Sequence, residues 1–380
     1  MNRSRALCWV DRKLRRISLA RPDLTDSLHP PHARRKSCLV LAIGLSLTVA
    51  SCSHGSSVAR TTSPSFDVSG STPATPQGLI VYQCESPTGN TCVVGGDGSN
   101  PRSVNVGGIG SLSPNGLYIA SSRPRCGSQC DLGGVFVGSS TGSHTTMIWQ
   151  YGGTGVCAPA WSSNGQLAVV IGPTSTSGPP PTQQTPTGLW VLGTDRSAAF
   201  HINANASCPV AWSPDGSKIA FLGHAGAIDV ISSSGSTPVK VAQSLASDPS
   251  KTWLSWSPDG TTLLLTQANV VNPTGNSGVG GSSDVVAINL SSDTQSPVLG
   301  FNPKVDYFGA FYSPSGKQIA VLASCRAGGR TNSGIVIMNR EATSFHLVDS
   351  RLTSISICGS FTSSTAGNFY SPLQVLGWVG

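Results

Sequence analysis

The side chains with the most chemistry to offer are cysteines and a few clustered arginines. Eleven cysteines occur; Cys8, Cys38 and Cys52 lie near the amino terminus, and the other eight are Cys84, Cys92, Cys126, Cys130, Cys157, Cys208, Cys325 and Cys358. An even set in an exported chain is the pattern of disulfides, which persist in oxidising compartments. Zinc is the competing use of thiolates. Cys126 and Cys130 have a CxxxC spacing, but a structural site takes four ligands, and no second pair or histidine cluster at ligand spacing accompanies them, so no metal is expected. Arg123 and Arg125 precede Cys126, while Arg326 and Arg330 follow Cys325. Guanidinium groups stay charged and match carboxylate or phosphate oxygens in pairs, so four brought together would suit an anionic partner; held apart, they are ordinary solvated loop residues.

Catalysis finds less support. The string G-x-S-x-G occurs once, as Gly138-Ser139-Ser140-Thr141-Gly142, within GVFVGSSTGSHTTMIW, where the repeat makes it a polar turn between two strands and not a strand-to-helix elbow. Its 14 acids after Cys52 include turn residues such as Asp215 and Asp259, and Asp97 in GGDGSN lacks the alternating oxygen ligands of a calcium loop. No catalytic residue and no cofactor are expected; a hydrolase or lyase is kept as an alternative.

The elements that must position these residues are written in a repeat. AWSPDGSKIAF from Ala211 and SWSPDGTTLLL from Ser255 are the clearest copies, with FYSPSGKQIAV from Phe311, AWSSNGQLAVV from Ala160 and SLSPNGLYIA from Ser111 as variants. In Ser213-Pro214-Asp215-Gly216, proline presets φ, serine caps and glycine closes a tight turn, so one strand reverses into another. The strand that follows alternates Ile219 and Phe221 with other residues, which predicts one buried face. A third strand, a polar turn and a fourth strand recur as well, for example in AIDVISSSGSTPVKV and VVAINLSSDTQSPVL. Four antiparallel strands per repeat make a β-propeller blade. A two-sheet sandwich also uses short strands, but it does not repeat one turn sequence in register.

Leu112, Trp161, Trp212, Trp256 and Tyr312 mark five first strands, and LQVLGW ending at Trp378 supplies a sixth. Its partners are at the other end of the chain: GLIVYQ from Gly78 and CVVGGDGSNPRSVNV from Cys92. The expectation is therefore an all-β, six-bladed propeller over residues 78–380, closed by the C-terminal strand joining the N-terminal strands. The W-S-P-D-G core and the six-fold count resemble the TolB-type propeller repeats, distant relatives of WD repeats. That resemblance implies a ring but no particular chemistry. It also departs from TolB, because only about 25 Ser/Thr/Pro-rich residues separate Cys52 from Gly78, where TolB carries an additional α/β domain.

In an up-and-down blade the start of strand one, the end of strand two and the start of strand three lie at one end. That places all eight cysteines on one face and suggests the pairs Cys84–Cys92, Cys126–Cys130, Cys157–Cys208 and Cys325–Cys358. Long insertions are expected on the same face at 173–186, 268–283, 325–333 and 349–371, where loops on a rigid scaffold carry binding. Arg123 and Arg125 in the blade-two loop and Arg326 and Arg330 in the blade-six loop would then flank blade one.

The amino terminus sets the compartment. Arg34, Arg35 and Lys36 precede an apolar run from Cys38 to Ala50, too short to span a bilayer and suited to a signal h-region. Val49-Ala50-Ser51-Cys52 resembles a bacterial lipobox, which implies Cys52 as lipid anchor; a plain secretory signal cleaved nearby is the alternative. Residues 1–51 are thus expected to be a leader, with a misassigned start within 1–33, and 52–77 a flexible tether. Ten of the 24 basic residues and three of the 17 acidic ones precede Cys52, leaving 14 of each. That balance gives no footprint for nucleic acid. The reading is a monomeric, membrane-tethered extracytoplasmic lipoprotein that binds or scaffolds an envelope protein or glycan, with an anionic partner as the expectation from the arginines. A sensor lipoprotein of a signalling system is a second reading.

Overall fold

The computed structural model describes residues 78–84, 91–106, 108–125, 132–141, 145–152, 154–155, 157–172, 185–195, 197, 199–246, 251–267, 283–300, 305–327, 330–342, 344–348 and 372–380. They lie within one unit, Thr61–Gly380. Blades two to six follow chain order. Blade two is Gly110–Leu112, Tyr118–Arg125, Leu132–Ser139 and Thr145–Gly152; blade four is Ser207–Trp212, Lys218–Leu222, Ala227–Ser232 and Val239–Gln243. Blade five is Thr252–Trp256, Thr262–Gln267, Asp284–Asn289 and Thr294–Leu299, and blade six is Val305–Tyr312, Gln318–Ala327, Arg330–Asn339 and Phe345–Leu347. In blade three the innermost strand is broken: Thr154–Gly155 and Ala160–Trp161 both pair with Gln166–Gly172, followed by Gly188–Gly193 and Phe200–Asn203. Blade one joins the two ends of the propeller, because Pro372–Val379 pairs antiparallel with Leu79–Cys84, which pairs with Thr91–Gly95 and then Arg102–Val104.

Ring closure is legible in the core. Six apolar clusters occupy the six blade interfaces: blade one with two around Val81, Val93 and Ile119, two with three, three with four, four with five, five with six, and six with one around Ile80, Tyr82, Leu322 and Trp378. The expectation of one buried face per second strand is corrected here. Leu167, Val169 and Ile171 face blade two, while Ala168 and Val170 face blade four, and every one is at most 2% exposed. A blade clamped between two neighbours buries both faces of its second strand, so the alternation seen in sequence is one of size, large against small, as well as polarity.

The repeated turn has one design throughout. Ser213 Oγ donates to Asp215 Oδ1 (2.6 Å) and accepts the Lys218 amide (2.9 Å), while Asp215 Oδ1 also accepts the Ser217 amide (3.0 Å). Ser257 and Asp259 repeat this, and Asn115 stands in for the acid beside Ser113. The closing glycines take φ between 68° and 83° at Gly116, Gly165, Gly216, Gly260 and Gly316, a left-handed conformation that glycine adopts without a Cβ penalty. Each turn also leans on the one before: a Cβ on Gly260 would lie 3.8 Å from Pro214, and one on Gly316 would lie 3.4 Å from Pro258.

Candidate binding face and central channel

The tryptophan before each turn is an inter-blade strut. Trp161 Nε1 donates to the Ser111 carbonyl (3.0 Å) and Trp256 Nε1 to the Ala211 carbonyl (3.1 Å), each crossing to the preceding blade. Trp212 holds the same slot, but its indole nitrogen is buried with no acceptor among the described residues. The first strands that carry these residues surround a central cavity of about 900 Å³. Its wall is mostly apolar, with Trp161, Trp212, Trp256, Tyr312 and the turn prolines beside several serines and one lysine. Among the described lining residues the ionisable side chains are Lys251 and Tyr312, with no side-chain carboxylate and no imidazole. Burial raises the Tyr312 pKa, opposed by the nearby Arg340 guanidinium, so the phenol stays neutral at physiological pH.

Two disulfides stand at the end of the ring opposite the serine–glycine turns. Cys84–Cys92 (S–S 2.07 Å) ties the second and third strands of blade one, and Cys157–Cys208 (S–S 2.15 Å) ties the innermost strands of blades three and four beside the channel. Both are among the four pairings expected. Sequence explains where the second one sits. Pro159 and Pro209 follow the cysteines, and proline cannot donate to a ladder, so the register shifts between Ser207 and Val210 and pairing in blade three lapses around Cys157. The bulges free both cysteines from regular pairing. Cys126, Cys130 and Cys358 lie outside the described residues, as does the side chain of Cys325.

The four arginine positions gather at the same end, but not as loop residues. Arg123 pairs with Gly134 and Arg125 with Leu132, while Arg326 pairs with Thr331 and Ala327 with Arg330. The expected loop from 325 to 333 is therefore a strand extension, with Gln318–Ala327 and Arg330–Asn339 each ten residues long. Cys325 likewise lies within a strand rather than after it. The ladder continues through the pairs Ser324–Ser333, Cys325–Asn332, Arg326–Thr331 and Ala327–Arg330, beyond the level at which the second strands of blades four and five end. The backbone places the four positions on blades two and six, the two neighbours of blade one; their side chains are outside the described set, as are most residues of the other three insertions.

A polar cluster at this end had no signal in the sequence. Gln267, 2% exposed, accepts the Leu245 amide at 2.7 Å, and Ser283 Oγ accepts the Tyr307 amide at 2.6 Å. Asp284 opens the third strand of blade five beside them; burial raises its pKa, opposed by a hydrogen bond with Gln267, and its Oδ1 is buried with no partner among the described residues. Nothing in the residue types of 267, 283 and 284 distinguishes them from loop polars, because their burial comes from blade-to-blade contact.

No family model and no curated protein matches the chain. Among solved structures it is similar to TolB from Acinetobacter baumannii, at 16% identity and a TM-score of 0.47 over 70% of this chain and 62% of that one. It is similar to TolB. A protein described as a TolB from Agrobacterium tumefaciens matches at 18% identity and a TM-score of 0.39, over 54% of this chain and 65% of the other. The chain thus spans less than two thirds of both TolB structures. An oligogalacturonate lyase from Vibrio parahaemolyticus matches at 13% identity and a TM-score of 0.42, over 72% and 79% of the two chains. The propeller ring itself rests on the strand pairings and the six interface clusters above.

Proposed function

We propose that this protein is a lipid-anchored extracytoplasmic propeller that binds or scaffolds an anionic envelope partner, a protein or a glycan, through the disulfide-bearing end of its ring. The observation that carries this reading is the asymmetry between the two ends. One is closed by short, mutually braced serine–glycine turns; the other gathers both disulfides, the extended hairpins of blades two and six with Arg123, Arg125, Arg326 and Arg330, and the Lys251 side of the channel. A rigid scaffold with cations at one end is suited to recognition. Among the described side chains that line the channel there is no carboxylate or imidazole to form a proton-transfer pair, which supports binding over a hydrolase or lyase. Membrane tethering rests on the Cys52 lipobox resemblance.

The test is a crosslinked pull-down from native envelope with wild type and with all four arginines changed to glutamine. The variant should lose the partner by about tenfold or more and keep its melting transition, since substitutions away from a core rarely change stability by more than about half a kcal/mol. Wild-type capture should also fall with salt, as charges lose reach beyond a Debye length of about 8 Å. Equal recovery by the variant would place recognition elsewhere on the ring.

A further inference from the structure

Two Asn-Gly pairs occur in the chain, Asn115-Gly116 and Asn164-Gly165, and both occupy the repeated turn, in the slot that holds Asp215 and Asp259 in blades four and five. Asparagine before glycine is open to intramolecular chemistry, because the glycine amide nitrogen has no side chain beside it to keep it from the carboxamide. What separates the two pairs is the turn around them. Ser113, Ser213 and Ser257 each accept, with Oγ, the amide five residues on, that of Tyr118, Lys218 and Thr262; Ser162 accepts that of Gln166, four residues on. The blade-three turn is therefore one residue shorter. What it lacks is the residue whose amide holds the side chain in the slot, as Leu117 holds Asn115, Ser217 holds Asp215 and Thr261 holds Asp259. Among the described residues, Asn164 Oδ1 accepts from the Ser162 hydroxyl alone. Ser163 also stands where the other turns have Pro114, Pro214, Pro258 and Pro314, so φ is not preset there. The closing bond from the Gly165 amide to the Ser162 carbonyl is 3.2 Å, against 2.8–2.9 Å at Gly116, Gly216, Gly260 and Gly316. Asn164 is exposed, whereas Asn115 is 5% exposed.

We propose that Asn164 is a site of spontaneous deamidation, with water as the sole co-reactant, and that the longer turn protects Asn115. When the closing bond opens, the Gly165 amide nitrogen is free to attack Asn164 Cγ. A new C–N bond forms, the nitrogen gives up its proton, and the carboxamide nitrogen departs as ammonia, leaving a cyclic imide. Charge gathers on Oδ1 during the attack, and the Ser162 hydroxyl already donates to that oxygen. Water then adds to one imide carbonyl and its C–N bond breaks. Opening at the main-chain carbon gives isoaspartate, and opening at Cγ gives aspartate. The aspartate product puts a carboxylate where Asp215 and Asp259 stand, beside a serine hydroxyl as theirs are. The isoaspartate product routes the main chain through the side-chain methylene and disturbs the turn on which blade four leans, since a Cβ on Gly216 would lie 3.2 Å from Ser163 Oγ. Either way the turn end of the ring gains one negative charge as the protein ages. The site lies opposite the disulfide-bearing end and does not depend on how that end binds.

The experiment incubates the full-length protein at mildly alkaline pH in water enriched in heavy oxygen, once folded and once in urea, and follows the peptides that contain each pair by mass spectrometry. In the folded protein Asn164 should convert at least about tenfold faster than Asn115, since one hydrogen bond fewer and a looser closing bond make its turn easier to open. Urea should abolish that preference, because it removes both turns. The converted residue should carry heavy oxygen taken up from the water that opened the imide. Asp215→Asn places an Asn-Gly pair in a longer turn and should keep its amide as Asn115 does, with an unchanged melting transition showing that the turn is intact. An amide retained at Asn164 in the folded protein, conversion of Asn115 at the same rate, a preference that persists in urea, conversion without heavy oxygen, or conversion of the Asp215→Asn variant at that position as fast as at Asn164 would each overturn the assignment.

Discussion

Asp215 and Asp259 show how a turn residue can look catalytic and be structural. Both carboxylates are held at a pKa of about 2, first by the Ser213 or Ser257 hydroxyl and then by the backbone amide two residues on. A carboxylate whose pKa is lower in the folded state than its ordinary 3.8 contributes stability above about pH 4 and loses it as pH falls through 2. Asn115 makes the same pair of bonds without titrating. Changing Asp215 and Asp259 together to Asn should therefore leave the melting temperature near neutral pH almost unchanged and shrink the drop between pH 5 and pH 2. Thermal melts across that range decide it; an unaltered acid profile would mean the turns do not sense these charges. Such turns were readable from Ser-Pro-Asp-Gly alone, because their hydrogen bonds are local in sequence. The burial of Gln267 and Asp284 was not readable, since their neighbours arrive from other strands and other blades.

Among the elements, the strand that closes the ring has the largest stake in stability. Pro372–Val379 contributes Trp378 to the interface with blade six and pairs with Leu79–Cys84 along its length. Removing residues 372–380 should abolish cooperative unfolding, because it opens an apolar cluster and leaves a long unpaired edge. A truncated protein with an intact calorimetric transition would refute closure by this strand. The two disulfides act on loops of different length, with sequence separations of 8 and 51. Chain entropy assigns them about 2.5 and about 4 kcal/mol. Strand identity and order came from the period-2 pattern and the turn sequence. The hairpin extension at Arg326 and Arg330 did not, since Cys-Arg-Ala-Gly-Gly-Arg reads as a loop and pairs only because the partner strand is equally long.

At the scale of the whole molecule, an anchored ring with cations at one end would meet partners in the plane of the membrane. That picture depends on Cys52. Cys52→Ala should abolish incorporation of labelled fatty acid and release the protein from the membrane fraction; a variant that still partitions with detergent would rule out the lipobox. The ring was legible because one turn motif recurs in register, and an architecture of repeats multiplies a weak local signal. The channel chemistry was hidden, because which residues of six strands share one wall depends on closure.

Blade one also sets a waiting time. About 290 residues separate Cys84 from the strand that pairs with its hairpin. At synthesis rates of roughly 5–20 residues per second the first hairpin stays unpartnered for roughly 15–60 s, long after elementary hairpin formation is over. During that interval its apolar edge is open to any passing strand. Cys84–Cys92 spans only that hairpin, so in an oxidising compartment it forms without waiting for the rest of the chain and keeps the register ready for the last strand.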